Sequence, residues 1–442
     1  MSRAGHRGQA ELFGGREGAL FAGILLAAFA SRVLWALVGG SDVRATFVYD
    51  ATLYDHLARQ LAKGRGYVNF LDEPTAFLPP GYPAVLAVVY AVFGTSLVAA
   101  WVANAALATL TCLLVYLTAS DLFTRHVGLV AAAIFSIFPG DILRSGITMS
   151  EATFGCFFAA LVYLFVRWSA GPGQNGFSRW FLFGLLLGAT TLVRGVALPF
   201  VAVPAVIWLI RDGARQSTIR TCLATLGLAV VVLPWTMRNQ VVMRYPAVVS
   251  TDASDAFFNA HNPLAFGNES MDMFEFGERE WPWVRSLPLQ EREVGRAKAE
   301  LSFSIRYVMA HPWSEIALIP RRIFYLYAGD HYPLGERTSS RGGLHRAFVG
   351  FADAYFFLVL LLALIGIRQS VKPAGPQLVL PFTLVYFTLI HGILFFGAPR
   401  YHAPLAPVLS VLAALAITRQ PIAQRAFHAG GRFSRNARGP SA

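Results

Sequence analysis

Long runs of apolar side chains decide what this chain can become. They cover 19–39, 97–119, 127–139, 149–168, 180–193, 197–210, 219–237, 347–367, 377–396 and 401–418. About 20 helical residues cross a hydrocarbon core. Backbone in lipid must satisfy its own hydrogen bonds, so spans are helices or closed barrels. Only 14% of the 442 residues are charged and mean hydropathy is +0.50, whereas soluble domains carry about 25% charged residues. The expected fold class is an all-α polytopic membrane protein with about 10–11 transmembrane helices, interfacial helices and a small extracytoplasmic segment.

Charge placement sets the expected topology. The net charge is +12, but the basic residues gather at the ends of apolar runs, where orientation in the membrane requires them. That distribution argues against nucleic-acid binding. Arg125, Arg167 with Arg179, Arg211 with Arg215 and Arg220, and Arg368 with Lys372 all fall inside if 82–94 does not cross fully. As a helix that piece rises only about 20 Å. Both termini are then cytoplasmic. Arg32 interrupts the first span near its outer end and is expected to snorkel to the interface. Cys112, Cys156 and Cys222 all sit in apolar runs and are expected to be inert, with neither disulfide nor metal chemistry.

The resulting organisation is a lead at 1–18, a transmembrane catalytic module at 19–237 with its first outer loop at 40–81, an extracytoplasmic loop with interfacial helices at 238–346, C-terminal spans at 347–418 and a basic tail at 419–442. The Gly/Arg/Ser end of that tail, 429–442, has a disordered composition. Segment 238–346 holds one amphipathic helix from 289 to 309 and an apolar stretch from 311 to 327 suited to an interface. No internal repeat is evident.

Polar residues concentrate on the outer side. Segment 48–83 begins as a short helix, with Leu53, Leu57, Ala58, Leu61 and Ala62 at helical spacing. Gly64 and Gly66 end it, and Pro79-Pro80-Gly81 turns the chain back. It carries Asp50, Tyr54 and Asp55. A second acid, Glu151, opens a span. Each of Asp50 and Glu151 reads equally well as a helix cap. Facing one cavity, however, one carboxylate would serve as general base and the other would orient a hydroxyl. Arg194, Arg238 and Arg400 lie outward, where topology does not require them. A guanidinium pairs with phosphate oxygens in a fork and keeps its charge, although headgroup anchoring explains any one of them equally well. Tyr401 follows Arg400. His261 and Asn262, in FFNAHNP, are suited to sugar hydroxyls, and His261 also reads as a structural loop residue.

The ordered series Tyr49-Asp50, GRGY, PTAFLPPGYP, Ser150-Glu151, PWTMRN, FFNAHNP and RYHAP resembles the GT-C class of polytopic membrane glycosyltransferases. It is most similar to glycosyltransferase family 39, the protein O-mannosyltransferase and aminoarabinose-transferase group. The resemblance covers most of 19–418 and implies a GT-C-like bundle in a bacterial inner membrane. It further implies an extracytoplasmic active site, a polyprenyl-phosphate sugar donor and inversion at the anomeric carbon. The acceptor would be a glycan, lipid or protein hydroxyl. Asp50 is implied as catalytic base and Glu151 as a second acid shaping the site. No cofactor is implied, although a divalent metal bridged by Asp50 and Glu151 is compatible with the pattern. Aminoarabinose transferases carry a lysine before the double proline, where this chain has Leu78. The phosphate contact would then pass to Arg194 or Arg400. A rival reading is a transporter or lipid flippase, which would place ionisable groups along a midplane pathway.

Overall fold

The computed structural model describes residues 15–43, 48–170, 176–269, 272–330, 343–371 and 375–419. The basic tail beyond 419, most of the lead and the turn around Lys372 lie outside the described residues. Among the described residues, eight helices are long and apolar enough to cross a membrane. Three shorter apolar helices accompany them: α3 (Gly81–Phe93), α5 (Arg125–Ser136) and α8 (Phe177–Val193). The expected spans at 127–139 and 180–193 are among these short helices, and 197–210 begins as a 3-10 segment, Gly195–Val201, before α9 (Ala202–Asp212).

The bundle is closed by small residues. α8 packs along α10 (Ala214–Met243) so closely that a Cβ on Gly184 would lie 2.0 Å from the Ala224 carbonyl oxygen. Apolar surface alone drives little association between helices in lipid, so backbone proximity of this kind has to supply it. Gly81 marks a second close approach. A Cβ there would meet the Val193 nitrogen at 2.6 Å, so the Pro-Pro-Gly turn abuts the end of α8, next to Arg194.

Arg32 departs from expectation. It is fully buried in α1 (Gly15–Val43) rather than snorkelling. Its guanidinium pairs with Asp141 at 2.6 Å and donates to the Ala28, Phe135 and Ser136 carbonyls. The end of α5 exposes carbonyls that lack helical partners, and a five-donor side chain satisfies several at once. Cys222 also departs from expectation, being exposed on the surface of α10.

The polar segments between the apolar helices form a cap. α2 (Val48–Ala62) is followed by an irregular loop that later elements stitch down. Glu293, on α13 (Leu289–Ala310), accepts from Thr75 Oγ1, the Ala76 amide and Thr251 Oγ1. The Thr251 amide donates back to Ala76 and the Asp252 amide to Phe77. α13 and α14 (Pro312–Leu326) are helices over the two stretches that the sequence suggested for an interface, and α14 leaves Trp313, Ile316 and Phe324 exposed.

Candidate functional site

A cavity of about 560 Å³ opens beneath this cap. One wall is α2 with the Leu78-Pro79 turn. Another is the stretch 245–252 leading into α11 (Asp252–Ala260). Further lining comes from Gly195–Val201, the π-helical Ile390–Leu394 and the 3-10 segment Pro399–Leu405, with single side chains from neighbouring helices. Most of the lining is apolar, including Leu198, Pro199, Val248, Leu301, Phe387 and Phe395. The polar groups are therefore few and convergent, as in small-molecule sites generally.

Five of the residues singled out in the sequence reach this cavity: Asp50, Tyr54, Arg194, Arg400 and Tyr401. Arg400 Nη1 lies 3.4 Å from Asp50 Oδ2, and its Nη2 donates to the Tyr401 hydroxyl at 3.1 Å. Burial raises the Tyr54 phenol above its ordinary range, so it enters the site as a neutral hydroxyl. Glu151, at the start of α7 (Glu151–Ala170), stands one contact behind the lining. It accepts from Arg194 Nη2 at 2.5 Å, while Arg194 Nε donates to Ser150 Oγ at 2.8 Å. That fork fixes the arginine where α8 ends.

Four of the singled-out residues are placed elsewhere. Asp55 pairs with Arg59 and accepts from the Tyr90 hydroxyl. Arg238, expected to meet phosphate, donates to the Thr75 and Tyr67 carbonyls and stacks on Trp235. It holds the irregular first loop in place by adding donors to two of its carbonyls, that of Thr75 and that of Tyr67, which also accepts from the Thr75 amide. His261 sets both ring nitrogens against acceptors, Glu315 at 2.7 Å and the Leu394 carbonyl at 3.2 Å. It braces α11 against the π-helical segment. Asn262 bonds only nearby backbone, at Phe258, Asn259 and Leu264. Neither faces the cavity. Glu315 is raised by burial, but His261 and Arg322 outweigh that and hold it below the usual carboxylate range.

Two lining residues escaped the sequence reading. Asp252 opens α11 with its carboxyl facing the cavity, and no described residue hydrogen-bonds it. Burial raises it most, followed by the negative charges of Asp255 and Asp50, and together they push it up to about 8. His391 stacks on Tyr401 with centroids 4.7 Å apart, and its Nδ1 donates to the Phe396 carbonyl at 3.3 Å. A signal for His391 was present, since an ionisable residue inside an apolar span is a functional candidate by default. Asp252 had none beyond its position as a helix-opening acid.

The segment bearing Arg400 and Tyr401 is anchored by His402, the next residue. His402 donates to the Leu326 carbonyl and to Asp330, which also accepts from Arg144 at 2.8 Å. Burial raises the Asp330 carboxyl, but Arg144 and His402 outweigh it and keep it ionised. Among the described residues, no three His, Cys, Asp or Glu side chains converge as they would on a metal ion.

The architecture is a polytopic membrane protein with the GT-C glycosyltransferase fold. Residues 78–238 match the dolichyl-phosphate-mannose-protein mannosyltransferase family, in keeping with the resemblance read from the motifs. The fold is similar to that of the archaeal oligosaccharyltransferase AglB from Archaeoglobus fulgidus, in complex with an inhibitory peptide and a dolichol-phosphate. That similarity has a TM-score of 0.56 and 15% identity over 91% of this chain and 50% of that one. The apo form of the Archaeoglobus fulgidus oligosaccharyltransferase gives 0.54 and 14% over the same shares. This chain thus spans about half the length of those structures. ArnT from Cupriavidus metallidurans bound to undecaprenyl phosphate aligns with a TM-score of 0.46 and 15% identity, over 91% of this chain and 77% of that one. No match was found among curated proteins by sequence.

Proposed function

We propose that this protein moves a sugar from a polyprenyl-phosphate carrier to an acceptor hydroxyl at the outer face of a bacterial inner membrane, inverting the anomeric centre. The observation that carries the reading is the meeting of Asp50 with Arg194 and Arg400 in one largely apolar cavity. Asp50 removes the acceptor proton as the hydroxyl attacks the anomeric carbon. The departing phosphate gains charge, and Arg194 and Arg400 stabilise it in a site of low dielectric, where such donors act most strongly. The oxocarbenium character of sugar transfer gains further from a nearby carboxylate. The apolar walls suit the first isoprene units of a carrier. A transporter would need a polar pathway across the bundle. Here the polar lining is confined to a few groups among apolar walls.

The test is genetic and chemical. Deleting the gene and comparing envelope glycans and lipids by mass spectrometry should reveal one missing sugar. Wild-type protein should restore it, and Asp50→Asn, expressed and inserted equally, should not. Restoration by Asp50→Asn would remove Asp50 from the mechanism.

A further inference from the structure

We propose that Asp252 is a second substrate-binding carboxyl of the cavity, and that it works as a carboxylic acid donating its proton to the carrier's phosphate. This deepens the glycosyltransferase reading and rests on it.

The geometry comes first. Asp252 lines the same cavity as Asp50, Arg194 and Arg400, and no described residue hydrogen-bonds its carboxyl. Its backbone is not free to swing away, because the Asp252 and Thr251 amides are tied to Phe77 and Ala76. An ionised carboxylate in that position would repel an incoming phosphate. A protonated one offers the phosphate a short O–H donor instead.

The surrounding charges favour the protonated form. From α2 come Asp50 and the neutral Tyr54. On its own helix stands Asp255, and beyond that helix Glu269. From the 3-10 segment come Arg400 and Tyr401. From α13, Arg296 and Glu300 face Asp255, and Glu293 holds Thr251. Arg194 and His391 line the far side. Arg194 is paired with Glu151, and Arg400, which lies against Asp50, pulls the Asp252 carboxyl down by less than burial, Asp255 and Asp50 push it up. With Asp252 raised to about 8, neutral pH leaves it mostly protonated.

An acid that must be protonated for binding imposes a pH dependence. Above its pKa, affinity falls by about tenfold per pH unit. The phosphate itself is not the source, since its second ionisation is centred at about pH 6, roughly two units below the expected slope. Glu300 is also raised to about 8, but it is turned toward Arg296 and does not line the cavity.

The experiment is equilibrium binding of undecaprenyl phosphate to the full-length protein in nanodiscs, across about pH 6.5–9.5. Wild type should bind and lose affinity with a slope approaching tenfold per unit above about pH 8. Asp252→Asn, which cannot ionise and still donates, should flatten that slope, and Glu300→Gln should keep it. A flat wild-type profile, an unchanged slope in Asp252→Asn, or loss of the slope in Glu300→Gln each overturns the proposal while leaving the carrier reading intact. Absence of binding by wild type at every pH overturns both.

Discussion

Arg194 and Glu151 meet across the junction of two helices, with Arg194 Nη2 2.5 Å from Glu151 Oε1 and both side chains largely buried. Arg194 faces the cavity and Glu151 stands behind it. The carboxylate therefore aims the guanidinium and balances part of its charge. Glu151→Gln is expected to lower sugar transfer by about 10- to 100-fold, since loss of a group that orients a charged ligand typically has that effect. Arg194→Lys should not preserve activity either. A lysine presents one compact charge and cannot serve Ser150, Glu151 and the ligand in the same fork. Transfer measured in membranes matched for protein level checks both. Near-normal Arg194→Lys activity would show that only the charge matters.

Arg238 ties down the loop after α2 through the Thr75 and Tyr67 carbonyls. Tyr67 in turn donates its hydroxyl to Leu78 and Pro79, which border the cavity. Arg238→Ala should therefore loosen 64–79 and make it sensitive to limited proteolysis at the outer face. Activity should fall by at least about tenfold, because misplacing a site-bordering segment by 1 Å can cost about 10²-fold. Arg238→Lys, whose single ammonium is a poor match for two separated carbonyls, should resemble Arg238→Ala. Proteolysis identical to wild type would sink this account.

The all-helical membrane fold and a polar cap were legible because apolar length and charge density report directly on lipid, whereas the number of full-length spans was not, since 127–139 and 180–193 form shorter helices. Asp50, Tyr54, Arg194, Arg400 and Tyr401 were legible as a group because each borders an apolar run and has no topological need to be polar. The rest turned on partners distant in the chain. Arg238 and Arg32 look like ligand or interface arginines until Thr75, Tyr67, Phe135 and Ser136 are seen to present their carbonyls to them. His261 and Asn262 look like sugar binders until Glu315, Leu394 and local backbone absorb their donors. Asp252 is one acid among several in TDASD, and only the cavity distinguishes it from Asp255.

Asp252 also makes a prediction about stability. Its pKa is raised from 3.8 to about 8 on folding, so between those values the folded state binds more protons than the unfolded one. Stability therefore falls as pH rises through that window and levels off above about pH 8. Asp252→Asn removes the penalty. It should raise the melting temperature at pH 8 by several degrees and leave it nearly unchanged at the acidic end of the window. Thermal unfolding of purified protein at both ends of the window is the measurement. Equal shifts at both would mean that the gain is not one of ionisation.

Arg32 and Asp141 form the deepest test of the fold. Arg32 is fully buried within a helix that meets the criteria for a span, and Asp141 holds it with two contacts at 2.6 and 2.8 Å. Removing one member of such a pair leaves an uncompensated buried charge, which destabilises by about 3–5 kcal/mol. Asp141→Ala should thus reduce the folded yield severely. Removing both charges with apolar replacements should recover much of the loss, because a well-packed apolar pair often matches a buried ion pair. Recovery should be incomplete, since Arg32 also caps the carbonyls of Phe135 and Ser136 at the end of α5. Folded yield and thermal unfolding of Asp141→Ala, Arg32→Leu and the Arg32→Leu/Asp141→Leu double variant form the comparison. A double variant no better than Asp141→Ala would mean that the carbonyl contacts, rather than the ion pair, set the position of α1.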